Sequence, residues 1–219
     1  MRRRAVAIAL SGALAVLAPS SHAQPARAWD FVVRLDGRPI GTHRFTLAPD
    51  GAGGRTVTSD ARFDIKLLGF TAYRYRHHAR ERWAGNCLAA LDATTDDDGH
   101  VTRVDGQRSG DGFAIEVRDG QRQEPRAATQ AGCLWSFAYW NPALAAQHRL
   151  LDPGTGRVVP VQVEALPPAQ IDTASGRVTA QGWRIAGLPN PIDVWYEGSR
   201  WIGLDSVVKG GRRLTYRLQ

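Results

Sequence analysis

Lysine is almost missing from this 219-residue chain: Lys66 and Lys209 are the two, and dispersed arginines supply the rest of a basic excess worth +7 in formal charge. A nucleic-acid partner needs its basic groups gathered on one stripe or element; no such cluster exists, so none is expected. Cysteine is equally scarce. Cys87 and Cys133 stand alone, without the companion ligands of a zinc site. No G-x-S-x-G elbow surrounds Ser59, Ser109, Ser136, Ser175, Ser199 or Ser206. No complete cofactor motif occurs either, so no catalytic residue, metal or cofactor is assigned and an enzyme is not expected. The longest apolar run, Ala5 to Ala18, covers 14 residues, short of the roughly 20 that cross a bilayer as a helix.

That run has a context of its own. Arg2, Arg3 and Arg4 precede it, and Ser21-His22-Ala23 places small residues three and one positions before Gln24. A charged head, a short apolar middle and a small-x-small exit describe a secretory signal peptide over residues 1–23. No cysteine near the exit offers a lipid attachment point. The expected organisation is this leader, a short flexible N-terminus over 24–27, and a single β-rich domain over 28–219, located in the periplasm or outside the cell. In an oxidising compartment two cysteines suggest a Cys87–Cys133 disulfide, worth about 4 kcal/mol in the loop-entropy model; two buried thiols are the alternative.

Hydrophobic periodicity is close to two along most of the chain, which is the signature of strands. It predicts them over Phe31–Leu35, Ile40–Leu47, Thr56–Leu67, Thr71–Trp83, Cys87–Thr94, His100–Gly106, Gly112–Arg118, Arg157–Glu164, Gly176–Ala186, Ile192–Glu197, Trp201–Val208 and Arg212–Leu218. Asp36-Gly37, Asp98-Gly99, Asp119-Gly120, Ser175-Gly176 and Gly210-Gly211 supply hairpin turns, because such pairs accept the positive φ that tight turns need. Leu134 to Gln147 breaks the rhythm, and its Asn141-Pro142 followed by alanines predicts a short helix or two. The expected fold is mainly β: a strongly curved antiparallel sheet, a half-barrel of about eleven or twelve strands, closed by this aromatic helical segment.

The order of features (leader, AYRYRHHARERWAGNCLAALDATTDDDG, SFAYWNP, then IDVWYEGSRWIGLDSVVKGGRRLTYRLQ) resembles a family of uncharacterised bacterial envelope proteins. Its closing hairpins are similar to those of half-barrel proteins like the lipoprotein-localisation carriers. The resemblance implies a curved sheet over a plug, with an apolar concavity that holds acyl chains. It brings no catalytic residues to carry over.

Alternation along Tyr73 to Trp83 puts Tyr73, Tyr75, His77, Ala79, Glu81 and Trp83 on one face and Arg74, Arg76, His78, Arg80 and Arg82 on the other. If the aromatic face lines the concavity, His77 and Glu81 become polar groups in an apolar wall, where they meet a ligand headgroup or simply bond to neighbouring strands. The residues expected to bind the ligand are Phe63, Ile65, Leu67, Phe70, Tyr73, Tyr75, His77, Glu81, Trp83, Trp135, Phe137, Trp140 and Trp195. Leu67-Leu68-Gly69-Phe70 reads as an apolar hairpin tip beside the arginine row, suited to a peripheral membrane contact or packed on the sheet. Thr94 to Asp105 sets Asp96, Asp98 and Gly99 at calcium-loop positions but lacks the leading carboxylate and the closing glutamate. An acidic hairpin turn explains it.

Three functions compete. A soluble periplasmic protein binding a lipid or other amphiphile leads. An envelope interaction or assembly module with a filled core and no ligand is the alternative, although the residues name no protein partner. A hydrolase acting on lipid or glycan would need a base among His43, His77, His78, His100 and His148 and an acid among Asp64, Glu81 and Asp193, which the sequence alone does not bring together. An outer-membrane barrel fits less well, since the strands read as short and heavily charged on one face.

Overall fold

A computed structural model of the chain describes residues 26–51, 53–67, 70–120 and 124–219. The expected leader and the tip residues Leu68 and Gly69 lie outside these, as does the side chain of Leu67. The chain is mainly β. Eight strands form a first meander: β1 (Arg27–Leu35), β2 (Arg38–Pro49), β3 (Arg55–Leu67), β4 (Phe70–Ala84), β5 (Cys87–Asp97), β6 (His100–Ser109), β7 (Gly112–Asp119) and β8 (Arg126–Ala131). A small hairpin, β9 (Arg149–Asp152) and β10 (Arg157–Pro160), interrupts them. A second meander follows: β11 (Gln162–Thr173), β12 (Gly176–Ala186), β13 (Ile192–Glu197), β14 (Arg200–Val208) and β15 (Arg212–Leu218).

The two meanders are one sheet because β1 pairs with β15, Phe31 opposite Leu218. The result is a 13-stranded antiparallel sheet in the order β11-β12-β13-β14-β15-β1-β2-β3-β4-β5-β6-β7-β8. It curves without closing: β8 and β11 remain its two edges. Unpaired edge groups are not tolerated in a lipid-spanning barrel, so the sheet topology argues against that reading even though β3 and β4, at 13 and 15 residues, are longer than the sequence suggested.

Local chemistry explains the layout. Trp29, Phe31, Val33 and Leu35 are buried while their neighbours are not, the period of two that a one-sided core demands. Asp36 and Gly37 both hold positive φ (50° and 79°), as do Asp98 and Gly99 (53° and 91°), which gives hairpin turns whose twist matches the flanking strands. Asp96 accepts the Gly99 N–H at 2.7 Å and Asp97 the Tyr73 hydroxyl at 2.5 Å, so the acidic run serves its turn and its neighbouring strand.

The segment from Leu134 to Gln147 is not the helical closure expected. Only Pro142–Ala146 is helical, a single 3₁₀ turn capped by the Asn141 side chain. The preceding residues are held extended from both sides: Leu88 donates to the Leu134 carbonyl at 3.0 Å, and Leu151 donates to that of Trp135 at 2.7 Å. Leu134, Trp135, Ala138 and Trp140 are all buried, so the segment packs through more than one face, and an amphipathic helix would have hidden a single stripe. The inner face of the sheet is therefore covered by an irregular plug and the β9–β10 hairpin. A Cys87–Cys133 disulfide, with Cα atoms 5.2 Å apart, ties the start of the plug to β5.

Candidate functional site

Strand β4 alternates as its sequence suggests. Tyr75, His77, Ala79 and Glu81 face inward, and together with β2, β3, β14, β15 and the plug they line a cavity of about 520 Å³. Phe45, Val57, Phe137, Trp140, Trp201, Leu204 and Leu214 supply apolar wall. Polar groups join it: Asp152, Thr155 and Arg157 of the β9–β10 hairpin, Asn190, Ser206, and, on the sheet and plug, His43, Ser59, His77, Glu81, Tyr139 and Tyr216.

Burial decides the charge of those on the sheet and plug. The His43 imidazole is held well below its ordinary pKa, first by burial and then by the nearness of His77. His77 is pushed down to about 4 by burial, against the opposing pull of Asp152. Both rings are neutral near pH 7. Burial pushes the Glu81 carboxyl up. Trp83 Nε1 donates to Glu81 Oε2 at 2.9 Å, and the Ser136 hydroxyl sits near enough to oppose the rise, though outside hydrogen-bond geometry. Burial likewise raises Tyr75, Tyr139 and Tyr216, so all three keep their protons.

Two buried polar atoms on this wall have no partner among the described residues: His43 Nδ1 and Trp140 Nε1. Leaving such groups unpaired costs about 1–3 kcal/mol each, which a bound polar atom or a water would recover. His43 Nε2 lies 2.7 Å from Ser59 Oγ, a serine–histidine contact of the kind hydrolases use. Among the described residues no third member completes it, because no carboxylate bonds Nδ1 to fix its tautomer and orientation.

Of the residues expected to bind ligand, Tyr75, His77, Glu81, Phe137 and Trp140 form part of the cavity wall. Phe63 stacks on Tyr75 at 5.3 Å just behind it. Trp83 and Trp135 are core, packed edge to face at 5.3 Å. Ile65 and Tyr73 pair with each other toward the far end of the β3–β4 hairpin, where Phe70 is 78% exposed. Trp195 stands elsewhere: it donates from Nε1 to Asp205 at 3.0 Å and packs over Gly182, where any Cβ would collide with its ring. It shares that face of β13 with Asp193, whereas the cavity-lining Ile192 points the other way. His43, Ser59, Tyr139, Trp201 and Tyr216 were not in the sequence-derived lining. For the strand residues, parity with buried neighbours, His43 with Phe45 and Tyr216 with Leu218, is the signal that could have found them.

The arginine face of β4 differs from the uniform cationic row expected. Asp60 and Asp64 on β3 and Asp92 and Asp96 on β5 are interleaved with it. Arg76 forms a two-pronged pair with Asp64 at 2.9 Å, and His78 bonds Asp60 at 2.8 Å. Two members of the row are thus paired within the sheet, a pattern invisible until the strands are in register.

A second recess of about 280 Å³ adjoins the cavity and shares Tyr75, Asp152, Gly154, Thr155 and Arg157 with it. Its other walls are mostly polar: Thr95, Asp97, His100, Thr102, Asp119 and Arg126.

The family described as Domain of unknown function (DUF6134) matches residues 31–219. The chain belongs to this family. Among solved structures, the DUF6134 chain resembles the β-barrel-like protein of Domain of Unknown Function DUF1849 from Brucella abortus, at 12% sequence identity and a TM-score of 0.61, over 89% of this chain and 94% of that one. At that identity the likeness is one of fold. No curated protein matches the DUF6134 chain.

Proposed function

We propose that this protein binds a lipid-like amphiphile in the cavity without transforming it, and that it does so in the periplasm. The observation that carries the reading is the 520 Å³ space left between the sheet and its plug, within the roughly 300–1,000 Å³ range of small-molecule sites. A filled core, as an assembly module would have, leaves no such space. The mostly apolar wall and the unpartnered His43 Nδ1 and Trp140 Nε1 favour a ligand that is largely hydrocarbon with some polar atoms. The incomplete serine–histidine contact favours binding over hydrolysis. The resemblance of layout to lipoprotein-localisation carriers read from the sequence supports an acyl-chain ligand, and the leader expected over residues 1–23 supports the periplasm.

Trp140 and Trp201 on the wall make the proposal measurable. Bromine-labelled dodecanol, a neutral quencher, should reduce tryptophan fluorescence saturably at about one equivalent. Ala79→Phe, which places a ring in the cavity, should abolish the quenching while circular dichroism reports an intact sheet. A wild-type protein that shows no saturable quenching contradicts the proposal, whatever the variant does.

A further inference from the structure

We infer that the ligand carries an anionic headgroup and that Arg157 binds it, an assignment that rests on the cavity being a binding site. The cavity and the recess beside it form two chambers of opposite character that meet at Tyr75, Asp152 and Arg157. A molecule occupying both puts its hydrocarbon in the first and its polar end in the second.

The charged groups around the junction are not equally available. Asp152 is engaged at both oxygens, accepting the Gly154 N–H and the Thr155 hydroxyl, each at 2.8 Å. Asp97 accepts the Tyr73 hydroxyl, and His100 pairs with Asp119 at 3.2 Å. Arg126 donates to the Thr155 carbonyl at 3.1 Å. The Arg157 guanidinium alone among them makes no hydrogen bond or ion pair with the described residues, although its backbone is fixed opposite Asp152 in the β9–β10 hairpin. An exposed planar fork of donors that lines both the apolar chamber and the polar recess matches the two oxygens of a carboxylate or phosphate.

The surrounding carboxylates select between sources of that anion. A free inorganic ion meets the repulsion of Asp97, Asp119 and Asp152 with only Arg126 and Arg157 to offset it, whereas each methylene of a buried tail contributes about 0.8 kcal/mol. The amphiphile is favoured over the bare ion. Asp152 also lies near enough to His77 to oppose the lowering of its pKa, so headgroup and cavity wall are electrostatically in touch.

The test displaces bromine-labelled dodecanol with dodecanoate, unlabelled dodecanol or inorganic phosphate at mildly alkaline pH. Dodecanoate should compete about tenfold better than dodecanol, and phosphate should not compete. R157Q should erase the preference and still bind dodecanol; R157K, keeping the charge without the fork, should retain part of it. Equal competition by dodecanoate and dodecanol in the wild type, or an undiminished preference in R157Q, overturns the headgroup assignment and leaves the cavity reading standing. Failure of the labelled dodecanol to bind wild type overturns both. Competition by phosphate equal to that by dodecanoate identifies a plain anion site and overturns the amphiphile.

Discussion

His77 and Glu81 stand four residues apart on the inward face of β4 and respond to pH in opposite senses. His77 takes a proton in the folded protein only near pH 4, against 6.5 when unexposed to burial, so between those values the unfolded chain binds more protons and stability falls as the pH is lowered. Buried His43 adds to this with the same sign. Glu81 has a raised pKa in the fold, so the unfolded chain ionises first and stability falls as the pH climbs above about 4.5 toward the folded value. Thermal unfolding across pH 4 to 7 should show His77→Gln reducing the acid-side loss and Glu81→Gln reducing the opposing one. An unaltered acid-side slope in His77→Gln would mean that its ring is solvated. At this scale the sequence is readable where alternation is strict: Tyr75, His77 and Glu81 fall on one face because successive residues of a strand must alternate. It misleads at Trp195, where aromatic character suggested the inside but parity with Asp193 places the residue on the other face, in a slot that Gly182 leaves open.

Among the elements, the plug carries the most consequence. Its tether is the Cys87–Cys133 bond, 46 residues apart in sequence. Replacing both cysteines with serine should lower stability in urea unfolding by about 2–4 kcal/mol, and should weaken quenching by the labelled dodecanol because the cavity wall begins just beyond Cys133. A double variant as stable as wild type would show that the bond does not restrain the unfolded chain. The strands with alternating bulky residues and Asp-Gly turns were readable in advance; others were not. Arg126–Ala131, with the sequence RAATQA, has no apolar alternation because it is an exposed edge that buries nothing. Gln162–Thr173 is obscured by Pro167-Pro168, which sit at a register shift on the opposite edge, where a missing N–H costs no ladder bond. The plug eluded the sequence because its aromatics are buried through tertiary contacts and follow no period.

For the molecule as a whole, an open 13-stranded sheet wrapped over an irregular plug leaves space where a sandwich or a filled barrel would have none. Curvature, plug and an arginine unpaired among the described residues at the junction of two chambers together support the proposal of a container. Sequence could indicate the curved sheet and an aromatic inner face, but the cavity depends on how thirteen strands and the plug meet, which no local pattern encodes. The most direct measurement is native mass spectrometry of the protein released by osmotic shock, followed by solvent extraction of whatever it carries. A discrete adduct that extracts as an anionic amphiphile, and that is absent from Ala79→Phe, is the expected result. A homogeneous unliganded mass that takes up neither dodecanoate nor dodecanol on addition would contradict the account.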